Sequence, residues 1–129
     1  MTAERDLTTL LRAAQPVVAH REVVLVTVPA DAAARLPALA TVTEDEGVTV
    51  VLARADAERL GLPIGWIGTW ITLRVHSALE AVGLTAATSS ALARAGISCN
   101  VLAGFHHDHL LVPHDRADDA LGILRTLGG

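Results

Sequence analysis

The order of hydrophobic patterns in the second half of the chain constrains the fold more than any other feature. An apolar, β-branched run at residues 70–76 precedes a helical pattern over residues 84–95. Two more apolar runs, residues 98–105 and 109–112, are followed by a second helical pattern that begins at Asp115. The order β-α-β-β-α is typical of an α+β, ferredoxin-like unit, in which an antiparallel sheet carries helices on one face. Only the last strand of the βαββαβ pattern is missing.

The first half of the chain is a degenerate version of the same pattern. Residues 22–28 predict a strand, and residues 41–52 predict two strands that turn at residues 44–47. The stretches between them, residues 30–40 and 56–60, have room only for short helices. We therefore expect two small ferredoxin-like units in tandem that complete each other.

The glycine- and proline-containing segment 61–65 is the best candidate for a boundary between these units. It predicts an N-terminal unit over residues 1–65 and a C-terminal unit over residues 66–129. Residues 17–18 are a candidate for the strand that the C-terminal unit lacks. The runs at 23–26 and 48–52 are nearly continuous apolar strands, which predicts burial on both faces, against a second sheet within the chain or across a homodimer.

Composition excludes several classes of function. All ten basic residues are arginine and they are scattered, the net charge is −4, and the aromatic residues are only Trp66, Trp70 and Phe105. Binding of nucleic acid is disfavoured, because it needs clustered positive charge or stacking aromatic rings. The absence of lysine excludes Schiff-base chemistry and the P-loop, and the single Cys99 excludes an intrachain disulfide. No signal peptide or transmembrane run is visible, so we expect a cytoplasmic protein that does not enter membranes.

Residues 76–101 and 105–113 together resemble an ACT domain. They contain a Glu-x-Val-Gly-Leu loop, an Ala-Gly-Ile-Ser turn and an Asp-His-x-x-Val-Pro hairpin. The chain is similar to small bacterial tandem-ACT proteins, closely over residues 70–127 and more loosely over residues 5–65. This resemblance implies an allosteric, amino-acid-binding regulatory protein, with no catalytic residues and no cofactor, that acts as a homodimer or on an unknown partner protein.

The loop before the second-half helix suits an α-amino acid. The backbone N–H groups of Gly83, Leu84 and Thr85 lie at a helix N-terminus, which favours a carboxylate. Glu80 or Asp108 can accept hydrogen bonds from the ammonium group. The resemblance adds a pocket wall made of Val82, Gly83, Leu84, Asn100, Phe105, His107 and Asp108.

Four of the six histidines lie within residues 106–114, which leaves two alternatives open. His107 and His109 could share a strand face and, with His114 or an aspartate as third ligand, make this a metal-binding protein or a metal-dependent enzyme. If residues 106–108 form the hairpin turn, as the flanking apolar runs suggest, the imidazoles point apart and no metal site results. The other alternative is an ACT-like interaction module that binds no ligand.

Overall fold

The structure, a computed structural model, describes residues 9, 11, 13–74 and 83–127. Within these residues, the helices and strands with defined bounds are, in order: β1 (Pro16–Val28), α1 (Ala30–Ala33), β2 (Ala40–Glu44), β3 (Gly47–Ala53), α2 (Arg54–Arg59), β4 (Ile67–Leu73), α3 (Leu84–Arg94), β5 (Asn100–Ala103), β6 (Asp108–Pro113), a 3-10 helix (His114–Arg116) and α4 (Ala117–Thr126). Over this part of the chain, no helix is long and apolar enough to cross a membrane.

The strand order is β2-β3-β1-β4-β6-β5. Two compact units divide the chain: one spans His20–Gly68, and the other comprises the residues up to Ala19 together with those from Thr69 onward. We call them the N-terminal unit and the C-terminal unit. Each is an α+β unit of the ferredoxin-like type predicted from the order of patterns.

The N-terminal unit is built on three antiparallel strands. β3 pairs with β1 on one side and with β2 on the other. Val50 of β3 therefore lies between Val26 of β1 and Thr41 of β2. Valine and leucine side chains at alternate positions of β1 and β3 point to one face, where they meet Ala57 of α2. The buried core of this unit consists of Val24, Val26, Val48, Val50, Leu52 and Ala57.

Burial of both faces of the apolar runs is confirmed over most of their length, but not at Leu25, which is 42% exposed. The neighbours Val23 and Val24 are both 0% exposed, although they point to opposite faces of β1. Val50, Val51 and Leu52 are likewise all buried. The continuous hydrophobic residues are therefore shielded from water on both faces at Val23–Val24 and Val50–Leu52, as the pattern predicted, whereas the face that carries Leu25 is partly open at that position.

In the C-terminal unit, the missing strand comes from the beginning of the chain. The order within this unit is β1-β4-β6-β5, and the part of β1 that belongs to it ends at Ala19. The backbone N–H of Arg74 donates to the carbonyl of Gln15 at 3.2 Å, just before β1 begins, and Val18 packs against the core of the unit. The segment at residues 17–18 thus occupies the edge that sequence analysis suggested for it.

The two long helices of this unit bury regularly spaced faces. In α4 the buried side chains are Ala117, Ala120, Leu121 and Leu124, which is the spacing of one helical stripe. They pack on Ile71, Leu73, Leu110 and Val112 of the sheet and on Leu92 of α3. The helix begins later than expected, because residues His114–Arg116 form a 3-10 turn, and Asp115 therefore does not serve as its N-cap.

Candidate ligand site

The hairpin between β5 and β6 is tighter than the sequence suggested. The last pair of residues joined in the β5–β6 ladder is Ala103 with Asp108, and the N–H of Gly104 donates to the carbonyl of His107 at 2.9 Å. The loop proper is therefore only Phe105 and His106. The prediction of a turn at residues 106–108 is wrong, because Asp108 already belongs to β6. Polar residues at the start of a strand resemble a turn in sequence, and backbone pairing decides between the two.

This register determines how the hairpin side chains are presented. Phe105, at the tip, is 79% exposed, and its ring meets the ring of His106 edge-on with 5.0 Å between centroids. Asp108 lies on the same face of β6 as the buried Leu110, whereas His109 lies on the opposite face. The candidate pocket residues Phe105, His107 and Asp108 are thus brought together at one end of the sheet.

A metal site finds no support in this geometry. The four clustered histidines, His106, His107, His109 and His114, all lie within the described residues. No group of three or more histidine, cysteine, aspartate or glutamate side chains there is arranged to hold a metal ion. The two-residue loop and the strand alternation separate imidazoles that are neighbours in sequence.

His109 instead takes part in a hydrogen-bonded chain with two residues of β4. Its Nδ1 lies 3.0 Å from Oγ1 of Thr72, and the indole Nε1 of Trp70 donates to the same oxygen at 3.2 Å. The rings of Trp70 and His109 are also in contact, with 5.2 Å between centroids and 54° between planes. Thr72 and Trp70 share a strand face because they are two residues apart in β4.

The imidazole of His109 lies directly against Gly104 of the neighbouring strand. A Cβ atom at Gly104 would come within 2.9 Å of Nε2 of His109 and within 2.7 Å of the carbonyl oxygen of His107. Both separations are shorter than real Cβ atoms tolerate. Glycine is therefore required at position 104 for this close approach rather than for an unusual backbone angle.

The surroundings of His109 lower its pKa. The main cause is burial, which disfavours the charged imidazolium, and the nearby His107 adds to the effect while Asp108 opposes it. The neutral imidazole is favoured accordingly.

Gly83 sets the start of α3. It has φ 98° and ψ −17°, a left-handed conformation that residues with a side chain rarely adopt, and its carbonyl accepts the first helical hydrogen bond, from Ala87, at 2.8 Å. Leu84 is 3% exposed and anchors the first turn, while Thr85 is exposed. No side chain among the described residues caps this helix, so its first N–H groups are directed at whatever lies beyond the N-terminus.

Not all predicted site residues lie together. The Thr72–His109 contact places the end of β4 beside the start of β6, so the connection from β4 to α3 begins next to the hairpin. Glu80 and Val82 belong to that connection but lie outside the described residues. Asn100 begins β5 and pairs with Leu111, three strand positions or about 10 Å from the hairpin end of β5. It is remote from Phe105.

Sequence analysis missed Trp70, Thr72 and Gly104 as parts of this region. The available signal was weak: a threonine two residues after a tryptophan in an otherwise apolar strand, and a glycine just before the histidine run. Cys99, by contrast, packs against the core of the C-terminal unit, and burial raises the pKa of its thiol. Cys99 therefore packs as a small hydrophobic residue.

Comparison with solved structures finds similar folds. A Vibrio cholerae protein of unknown function, described as a possible transport protein, is 42% identical, with 90% of this chain and 91% of that chain covered at a TM-score of 0.81. An Agrobacterium tumefaciens protein is 19% identical, covers 83% of this chain and 81% of its own, and has a TM-score of 0.56. A chain from the aspartokinase alpha and beta subunits is 13% identical, with coverage of 87% and 96% and a TM-score of 0.61. The last two show the fold alone.

Family models cover nearly the whole chain. One ACT domain model matches residues 2–66 and a second ACT domain model matches residues 67–126. No curated protein matches the chain. With a tandem pair of matches over two ferredoxin-like units, the chain belongs to the ACT domain family.

Proposed function

We propose that this protein is a regulatory sensor that binds a small α-amino acid in its C-terminal unit and has no catalytic activity of its own. ACT domains are typically regulatory ligand-binding modules, and both halves of the chain match ACT domain models. The observation that carries the proposal is the left-handed Gly83 at the start of α3, which no side chain of the described residues caps. This helix start follows the connection that begins beside the β5–β6 hairpin.

The chemistry of an α-amino acid suits these groups. Its carboxylate would accept hydrogen bonds from the N–H groups of Leu84 and Thr85, where the helix dipole also favours negative charge. Gly83 lets the ligand approach the backbone closely because it has no Cβ. Asp108 or Glu80 would accept hydrogen bonds from the ammonium group, and Phe105 would cover the ligand side chain.

We further propose that the effect of binding is a shift in the population of a homodimer or of a complex with a separate regulated protein, in the cytoplasm. Light scattering with and without an added amino acid tests the homodimer. A strict monomer at micromolar concentration in both conditions would remove that arrangement and leave the separate partner.

The test of ligand binding is a thermal-shift screen of the full chain against each proteinogenic amino acid. A ligand at about 100 times its dissociation constant stabilises the folded state by about 2.7 kcal/mol, which raises the melting temperature by several degrees. We expect one amino acid, or a few related ones, to give such a shift.

The variant that locates the site is Gly83→Ala, with Gly96→Ala as its matched control. Both glycines have positive φ, 98° and 73° respectively, so both substitutions introduce a similar backbone strain of about 1 kcal/mol. Gly96 follows the C-terminal end of α3, and a Cβ there meets nothing within 4 Å. We expect the Gly83 variant to lose the ligand-induced shift and the Gly96 variant to keep it. Loss in both, or in neither, would contradict a site at the start of α3.

A further inference from the structure

The hydroxyl of Thr72 links two nitrogen atoms and has only one hydrogen to donate. The indole N–H of Trp70 can only donate, so Oγ1 of Thr72 accepts that bond at 3.2 Å. The hydroxyl hydrogen then remains available for Nδ1 of His109, 3.0 Å away. The neutral tautomer of His109 that carries its hydrogen on Nε2 fits this series of hydrogen bonds, because its Nδ1 is an acceptor.

Protonation of His109 reverses the direction of the hydrogen bond between Thr72 and His109. In the imidazolium both ring nitrogens donate, so Nδ1–H must point at an oxygen that already accepts the Trp70 indole. The hydroxyl hydrogen of Thr72 then has to turn away and find another acceptor. The ring would also carry a positive charge in a partly desolvated position.

The change at His109 is transmitted to the hairpin backbone at Gly104. Nε2 of His109 lies close to the backbone of Gly104, whose N–H is bonded to the carbonyl of His107 and closes the loop. A movement of the ring therefore acts on the pair of residues that hold Phe105 in place. Glycine leaves no side chain between the ring and the backbone to absorb the movement.

We propose that His109 is a pH-responsive positioning residue: its neutral form holds the β5–β6 hairpin in the ligand-binding arrangement, and protonation loosens the hairpin and weakens binding. The proposal rests on the proposed function, because the hairpin is a wall of that site. Among the described residues, the titratable groups acting on His109 are His107 and Asp108 of its own hairpin. The contacts from β4 and β5 are Trp70, Thr72 and Gly104, which do not titrate in the neutral range.

The first test needs no ligand. Nuclear magnetic resonance of the full chain follows the ring nitrogens of His109 and the backbone amides of residues 104–108 between about pH 8 and about pH 5, the range of histidine titration. We expect the Nε2–H tautomer at high pH, and amide shifts in the hairpin with the same midpoint as His109. Hairpin amides that do not follow this titration would overturn the proposal, whether or not any amino acid binds.

The second test repeats the amino-acid screen at about pH 7.5 and about pH 5.5 with the wild type, His109→Asn and His20→Asn. Asparagine can still bond to Thr72 but carries no charge, and His20 is a control histidine in the N-terminal unit. For any amino acid that binds, we expect an affinity about fivefold or more lower at the acidic pH in the wild type and in the His20 variant, with little change in the His109 variant. Binding with the same pH dependence in all three proteins would refute the role of His109 and leave the proposed function intact. If no amino acid binds at either pH, the proposed function fails and the hairpin titration still decides the role of His109.

Discussion

The two units have the same type of fold and differ most at the connection between the first strand and the first helix. In the N-terminal unit, β1 ends at Val28 and α1 begins at Ala30, so that only Pro29 separates them. In the C-terminal unit, residues 74–83 separate β4 from α3. A one-residue connection leaves no backbone to surround a small molecule in the N-terminal unit.

The two units also differ in the length of their helices and in the polar groups of the candidate site. α1 and α2 have 4 and 6 residues, against 11 in α3 and 10 in α4. The left-handed helix start at Gly83 and the Trp70–Thr72–His109 chain both belong to the C-terminal unit. The N-terminal unit presents mainly a valine-rich core. Units of similar topology thus carry different side chains, and the groups of the candidate ligand site belong to one of them.

The largest expected effect comes from truncating one core leucine in each unit. Leu52 of the N-terminal unit and Leu92 of the C-terminal unit are both 0% exposed. Leu→Ala at either position should lower the free energy of unfolding by about 2–5 kcal/mol, because it removes buried surface and leaves a cavity. Urea denaturation measures this loss.

The same pair tests whether binding is confined to one unit. We expect the folded Leu52→Ala protein to keep its amino-acid-induced thermal shift, since the candidate site lies elsewhere. Leu92→Ala should reduce the shift, because Leu92 anchors α3 in the core. If the folded Leu52 variant no longer binds and the Leu92 variant does, the ligand site would belong to the N-terminal unit instead.

An intermediate effect is expected from two isosteric changes on strands, Thr72→Val and Thr49→Val. Thr72 joins the buried Trp70 to His109, so removal of its hydroxyl takes a hydrogen-bond partner away from two nitrogen atoms. The expected cost is about 1–2 kcal/mol. The hydroxyl of Thr49 in the N-terminal unit donates to the exposed carboxylate of Glu44, and its substitution should change stability by less than about 0.5 kcal/mol. Equal effects in urea denaturation would show that the hydrogen bonds of Thr72 with Trp70 and His109 do not contribute to the free energy of unfolding.

The smallest effect is the dependence of stability on pH. The pKa of folded His109 lies below its ordinary value of 6.5. As pH falls through that value, the unfolded chain therefore binds protons before the folded chain does, and stability present at neutral pH is lost. Urea midpoints between about pH 8 and about pH 5 should fall for the wild type and stay flatter for His109→Asn. A parallel decline in both would assign the pH dependence to other groups.

The predicted arrangement of elements was largely correct because hydrophobic periodicity is a local signal. The turn between β2 and β3 falls within residues 44–47, as the acidic-glycine segment suggested, and Gly47 has φ 150°. α3 ends at Arg94, one residue before the predicted end. The extent of β1 was underestimated: it begins at Pro16, although the predicted strand began at residue 22. Pairing with a neighbour extends a strand through polar residues whose own pattern does not predict it.

The sequence by itself determined the family, the order of elements and the buried stripe of α4, because these depend on residue type and spacing along the chain. Tertiary structure alone decided that the hairpin loop is Phe105 and His106, that His109 meets Thr72, and that Gly104 has to be glycine. Each of these depends on which residues lie opposite one another in neighbouring strands. A shift of one residue in that register moves every side chain to the other face, and the sequence of a single strand does not specify the register.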